Sequence, residues 1–494
     1  MKKAVYTTAA ALLACVTLFA ACGESGSSAP SAPAATGPSE TAADVTETTT
    51  TQDGLPSDLD FGGQKIRFAY RSYDPSDITA EQTGELVDDA IFERNSKVQE
   101  RFNVNFEYQE FNAGVAAELP GQISSAVLAG SDDYDVIAWC QYSTLSQLPK
   151  GIYRDLTGAK YLDLSNPWWN QEYMEYLQIG NNHTYFLMGD ICLCALKNLS
   201  TCFFDKQIYE NFFGSPDDFY RDVLDGKWTV DVMRADCEAV YSDLNGNSKV
   251  DKDDLLGCMT STIANTEHFA FGCDIRFSER DDKGHPYIVL DSERTVQLVD
   301  KLKQLYYETN GLLRVTDDKN WTEDSHCPKF KEDTLLFMPI WMQHGDRLRD
   351  MESDFGVLPY PKLDESQSRY RALYHDTSTI ISMPQTLSDE KLDMISAVIE
   401  AMCCENMNTV IPYYYEVSLK TKYVRDDISA QVIDLIHDNG TTDFIYAYNY
   451  AVNSLGTIMR TLLGSQKKDF ASTYAKLAPK AETLLADLIA IYED

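Results

Sequence analysis

Residues 65–142 alternate between two hydrophobic periods, and that alternation constrains the fold more than any other feature of the chain. KIRFAY (65–70) alternates with period two and is rich in β-formers. ELVDDAIFERNSKVQERF (85–102) places Val87, Ile91, Val98 and Phe102 along one helical face. VNFEYQEF (104–111) reads as a strand again, the segment around ISSAVLAG (123–130) as a helix closed by Gly130, and DYDVIAWCQY (133–142) as a buried strand. The order β-α-β-α-β requires a parallel sheet with right-handed crossovers, so the fold class is α/β. In open α/β sheets, ligands sit beyond the carboxyl ends of the strands. Trp139, Gln141 and Tyr142 stand at such an end. The competing reading puts Trp139 in the core and the other two in a loop.

The N-terminus bears on where such a fold works. Lys2 and Lys3 precede an apolar run from Ala9 to Ala21. That run is shorter than the ~20 residues needed to span a bilayer but suits a secretory signal. Ala20 and Ala21 precede Cys22, and Gly23 follows. The expectation is a signal over 1–21 with Cys22 lipidated, although Phe19 departs from the usual leucine of a lipobox. Residues 22–54 are Ser, Thr, Ala, Pro and Gly with a few acids and no aromatic. Such a segment buries too little apolar surface to offset chain entropy and is expected to be a disordered tether. No later stretch has the ~18 uninterrupted apolar residues of a spanning helix.

The remaining ~440 residues exceed what one core usually holds, so two lobes are expected. The formal charge of −35 argues against nucleic acid or anionic lipid as a partner. Beyond the two cysteines of the signal, ten show no C-x-x-C and no zinc spacing, and several lie in apolar runs. There cysteine behaves as a small hydrophobe; sequence assigns no disulfide partners.

Several segments, in their order along the chain, carry a resemblance. They are ERN (93–95), DVIAW, GIYRDLTG, NPWWNQEYMEYLQIGNNHTYFLMGD (166–190), STCFFDKQIYENFFG (200–214), GKWTVD (226–231), FGVLPYPKLDESQSRY (355–370) and YYYEVSLKTKY (413–423). From about residue 55 onward the chain resembles the family-one extracellular solute-binding lipoproteins of ABC importers, the maltose-binding-like group. The resemblance implies a class II periplasmic-binding-protein-like fold: two α/β lobes, a hinge and a ligand cleft between them. It places the crossings near 190–198, 334–338 and 384–390. Lobe one would then hold 55–190 and 338–384, and lobe two 198–334 and 390–494. It also implies a monomer that captures a small solute, most readily a carbohydrate, outside the cell at its lipid anchor and passes it to ABC permeases.

Sugars present C–H faces to aromatic rings and hydroxyls to planar polar groups. The chain has 29 Tyr and six Trp, enough to line such a cleft. The resemblance assigns Trp139, Gln141 and Tyr142 to lobe one, with Trp341 from PIWMQHGD and His375 and Asp376 from ALYHDTS. From lobe two it suggests Glu267 and His268 in TEHFAFGCD, and Tyr446 and Tyr448 in IYAYNY. Trp168 and Trp169 read instead as packing residues at a helix start.

YSDLNGNSKVDKDDLLG (241–257) is a separate signal. Asp243, Asn245, Asn247, Asp251 and Asp254 fall at positions 1, 3, 5, 9 and 12 of a calcium loop, with the Lys249 carbonyl at position 7. Ser248 replaces the turn glycine and Asp254 the longer glutamate. A single copy lacks the paired architecture of a sensor, so the expected role of calcium is a structural staple. The alternative is an acidic surface turn without metal.

No H-E-x-x-H, G-x-S-x-G, G-x-G-x-x-G or P-loop occurs, so no catalytic residue is expected. Two carboxylates suffice for glycoside hydrolysis, and 77 acids leave a surface glycosidase as the main alternative. A non-catalytic surface adhesin is the third reading.

Overall fold

The computed structural model describes residues 51–114, 118–180, 183–263, 265–315, 325–415 and 427–493. The expected signal, Cys22 and most of the expected tether lie outside the described residues.

The β-α-β-α-β reading of the first segment holds. Gln64–Arg71 (β1) pairs in parallel with Val104–Phe111 (β2) along its whole length, from Gln64 opposite Val104 to Arg71 opposite Phe111. Helix Leu86–Phe102 connects them and buries Ile91, Val98 and Phe102. Asp88 and Asp89 in its first turn favour its positive end, and Asn103 ends it in the left-handed region (φ 49°). Helix Gly121–Leu128 leads into Val136–Cys140 (β3), parallel to β1, and Phe186–Leu187 (β4) lies at the far edge of the same sheet.

A second sheet follows. It contains Ser200–Asp205 (β5) and Leu256–Thr260 (β6); a hairpin of Ser278–Arg280 (β7) and Pro286–Ile288 (β8) stands apart from it. Leu312–Arg314 (β9), Leu335–Trp341 (β10) and Phe355–Leu358 (β11) complete the sheet in the order β11-β5-β10-β6-β9. β10 runs parallel to β6 and antiparallel to β5. Ala372–Leu373 (β12) pairs with Gly440–Thr441 (β14), while Thr379–Ser382 (β13) returns to the first sheet, antiparallel between β3 and β4. The first sheet thus reads β2-β1-β3-β13-β4. Two five-stranded mixed sheets define two lobes.

The lobe boundaries differ from expectation. The chain first crosses between β4 and β5, as expected near 190–198. The second crossing is not at 334–338, because β10 and β11 both belong to the second sheet; it lies between β11 and β13. The third is not at 384–390. Helix Asp389–Glu405 stays on lobe one, packed against helix Leu86–Phe102 with Lys97 paired to Glu405. Asn406–Tyr413 still packs on helix Leu86–Phe102, whereas helix Asp427–Asp438 packs on β11 and on helix Pro216–Leu224, so the chain changes lobe only after Tyr413. The cause is that LLFMPIW (335–341) is buried at every position, and such a run has no polar face to say which sheet it joins.

The expected tether also ends sooner than residue 54. The Thr51 N–H donates to Asn408 Oδ1 at 3.0 Å, and Asp53 pairs with Arg101, so 51–54 are docked on lobe one. All ten described cysteines are buried free thiols. Among the described residues, no helix is long and apolar enough to cross a membrane.

Candidate functional site

The polar and aromatic residues that converge between the sheets come from element ends. β10 delivers Trp341, the helix after β6 (Thr266–Gly272) delivers Glu267 and His268, and the β12–β13 loop delivers His375 and Asp376. The indole of Trp341 stacks on the His375 ring with centroids 5.0 Å apart and planes at 26°. His268 stands edge-on to both, at 5.8 Å and 5.5 Å, and its Nδ1 lies 3.3 Å from the Tyr360 hydroxyl. Glu267 receives the Nε–H of Arg460 at 3.0 Å. The Asp376 N–H donates to the Tyr446 hydroxyl at 3.2 Å.

Lobe one closes the other side. The Gln141 and Tyr142 N–H groups donate to the carbonyls of Ser378 and Asp376, at 2.9 and 3.1 Å. The Tyr173 hydroxyl donates to Gln141 Oε1. Arg71, at the end of β1, bonds Asp74 at 2.6 Å and the Thr377 carbonyl. Tyr142 is half-buried at the margin against Tyr450, which is 63% exposed; Arg460 is also partly exposed, and the other members are buried.

Burial sets the protonation of the cluster. It holds His268 and His375 below the ordinary histidine value, so both rings are neutral near pH 7. It pushes Glu267 up, against the pull of Arg460. Burial also opposes the charge on Arg460, but Glu267 and Asp376 outweigh it and raise the guanidinium above its usual value.

Five buried polar atoms here have no hydrogen-bond partner among the described residues: Gln141 Nε2, Glu267 Oε1, His268 Nε2, Trp341 Nε1 and Ser378 Oγ. An unmet buried group costs about 1–3 kcal/mol, so the five around one aromatic stack mark where a polar molecule, water or solute, would be held.

Of the ten expected ligand residues, Gln141, Tyr142, Glu267, His268, Trp341, His375, Asp376 and Tyr446 come together. Two do not. Trp139 is fully buried in lobe one, edge-on to Phe111 at 5.9 Å; it follows the pleat of an all-buried strand into the core. Tyr448 stacks on Phe444 at 4.2 Å and donates to the Leu177 carbonyl at 2.7 Å, which makes it a contact between lobes. Tyr360 and Arg460 belong to the cluster but were not singled out by sequence. Arg460 sits in IMRTLL, where it reads as the exposed residue of an amphipathic turn. Trp168 and Trp169 are packing residues, as expected: their indole N–H groups donate to the buried Glu400 at 3.1 and 3.0 Å.

The lobes touch beside the cluster. Arg371 reaches Asp274 of lobe two at 3.3 Å and Glu172 of lobe one at 3.0 Å. Arg280 donates to the Glu175 carbonyl, and Tyr448 to that of Leu177. Helix Gln171–Leu177 is thereby clasped from the opposite lobe. Arg371→Met should shift the ligand-free protein toward an opened form, read as a larger radius of gyration by solution scattering. Both acids are partly exposed, so the shift should be modest, about 1 kcal/mol. An unchanged radius would count against the clasp.

In the calcium-type loop, Asp243 accepts from the N–H groups of Gly246, Asn247 and Ser248 at 2.7–3.2 Å. Ser248 adopts the left-handed conformation (φ 59°) that the turn glycine of such loops supplies. Lys249 presents its carbonyl 3.4 Å from the Tyr241 hydroxyl. The carboxylates, however, do not converge. Asn245 and Asn247 donate their amides to Asp251, and Asp254 accepts the N–H groups of Leu244 and Asp251. Among the described residues, no three His, Cys, Asp or Glu side chains are grouped to hold a metal ion. The backbone turn and the oxygen donors suit calcium; Asn245 and Asn247 would have to rotate to present their oxygens.

No protein-family model matches the chain, and no curated protein matches it. Solved structures do. The galacto-N-biose/lacto-N-biose I-binding protein of an ABC transporter from Bifidobacterium longum, in complex with lacto-N-biose, superposes with a TM-score of 0.57 at 10% identity, over 87% of this chain and 98% of its own. An ABC substrate-binding protein from Listeria monocytogenes in complex with cycloalternan gives 0.55 at 11%, over 86% and 99%. A cyclo/maltodextrin-binding protein complexed with maltotetraose gives 0.55 at 11%, over 86% and 97%. The chain has the two-lobed fold of ABC-transporter binding proteins.

Proposed function

We propose that this protein captures a carbohydrate or oligosaccharide between its lobes, leaves it unreacted, and delivers it to the membrane permeases of an ABC importer. The observation that carries this is the set of five unmet buried polar atoms around the Trp341–His375 stack, between the lobes. Hydroxyl-rich ligands offer donors, acceptors and apolar ring faces together, which is what this lining lacks. The sugar complexes of the similar solved structures support the same class of ligand. No residue is assigned a catalytic role. A lipid anchor at Cys22 would hold the monomer outside the cell, and nucleic acid is not a partner.

Titration calorimetry against a panel of mono- and oligosaccharides tests this, with chromatography of the recovered ligand. Saturable binding with the sugar returned intact is expected. Released monosaccharide would establish a glycosidase instead, and no saturable small-molecule binding would favour an adhesin.

Calcium in the 243–254 loop is the second part of the reading, supported by donor spacing and the left-handed Ser248. Extracellular modules of this kind bind at roughly 10⁻⁴–10⁻³ M. Millimolar calcium should therefore raise the melting temperature, and Asp243→Ala should abolish the rise. A melting temperature indifferent to calcium in the wild type would reduce the loop to an acidic turn.

A further inference from the structure

A second recess lies at the hinge and takes no part in the cluster above. It has a volume of about 430 Å³, within the range of small-molecule sites. The first crossing lines it with Met188, Asp190 and Leu196, and the helical stretch after Glu405, still packed on helix Leu86–Phe102, with Met407 and Ile411. Tyr374 separates it from the solute cluster: one side of this residue lines the recess, and its ring packs edge-on at 5.6 Å against Tyr173, whose hydroxyl meets Gln141.

Asp190 is the unusual member. Its backbone is fixed at both ends: its N–H donates to the Trp168 carbonyl at 2.9 Å, and its carbonyl accepts from Asn406 Nδ2 at 2.8 Å. Its carboxyl, in contrast, has no hydrogen bond or ion pair among the described residues. No lysine or arginine appears among the described lining residues. Glu172, also in the lining, is already paired with Arg371. At the rim, Asp438 has His437 3.1 Å away. Burial with no compensating cation raises the Asp190 carboxyl to about 7. Folding thus holds the backbone of an unpaired acid rigidly at the edge of a cavity whose walls are methionine, leucine and isoleucine.

We propose that this hinge recess is a second binding site, for a small aliphatic ammonium compound whose charge pairs with Asp190 and whose methylenes lie on Met188, Met407 and Ile411. Such a ligand would supply the missing counter-charge and cover apolar wall at once. The site is independent of the carbohydrate reading. Because the first crossing lines it, its occupancy would bear on lobe movement.

Putrescine and its uncharged counterpart 1,4-butanediol are suitable probes, applied to the intact protein by titration calorimetry and thermal melting. Putrescine is expected to bind saturably and to raise the melting temperature at about 10 mM by mass action, while the diol does neither. Asp190→Asn should weaken putrescine at least about tenfold, the scale of one charge-assisted contact. Trp341→Ala should leave putrescine binding intact, which separates this site from the solute cluster. The proposal is overturned if wild-type protein shows neither heat nor a melting shift with putrescine, if a folded Asp190→Asn binds it equally, or if Trp341→Ala abolishes its binding.

Discussion

Replacing Glu400 with alanine should destabilise lobe one by about 2–4 kcal/mol, from buried donors left unmet at about 1–3 kcal/mol each. The carboxylate is 1% exposed. It accepts the Asn166 amide at 2.7 Å, the Trp168 and Trp169 indole N–H groups, and the Asp163 N–H at 3.3 Å. Burial raises its carboxyl, and the donors, chiefly Asn166 and Trp169, pull it back. Alanine would leave the two buried indole donors unmet, while the part-buried Asn166 amide could turn to water. Glu400→Gln keeps the shape and one acceptor oxygen, so it should lose clearly less. Urea denaturation followed by tryptophan fluorescence reads both, because Trp168 and Trp169 report on the site directly. A loss below about 1 kcal/mol in the alanine variant would mean that these bonds contribute little net stability.

Trp341→Ala should weaken capture of whichever saccharide the wild type binds by roughly two orders of magnitude or more, as expected for truncating a central aromatic. The indole supplies one face of the stack with His375 and one of the five unmet polar atoms, so stacking and hydrogen bonding vanish together. Its ring is 2% exposed and lies between His268, His375 and His344. The variant also opens a cavity, so its fold should be verified by circular dichroism. Trp341→Phe keeps a ring without the N–H and should fall between the two. Calorimetry gives the ranking; alanine binding as tightly as tryptophan would remove this cluster as the solute site.

The parts of this molecule that could be read from sequence are those governed by local periodicity. KIRFAY and VNFEYQEF alternate, ERNSKVQERF repeats every three to four residues, and both patterns survive in the sheet and its crossover helix. Gln141 is legible because the β-α-β-α-β order fixes where its strand ends; Trp341 comes from the family resemblance and not from periodicity. Long-range pairing was not legible. LLFMPIW is apolar throughout, so nothing in it distinguishes the first sheet from the second, and two of the three crossings were misplaced. Trp139 follows the competing reading into the core, because a strand buried on both faces carries no alternation to separate core from cleft. Arg460 and Tyr360 reach the cluster from distant positions. Glu400 did leave a trace, as a single acid in the apolar run MISAVIEAMCC, where a charged residue needs buried partners.

The grip of Arg371, Arg280 and Tyr448 on helix Gln171–Leu177 has a kinetic meaning. If a solute enters between the lobes as proposed, its entry requires release of that grip. The observed association rate should therefore level off with rising solute at the rate of release. The same step gates departure, so under the proposed function a captured solute would leak slowly until the permeases release the grip.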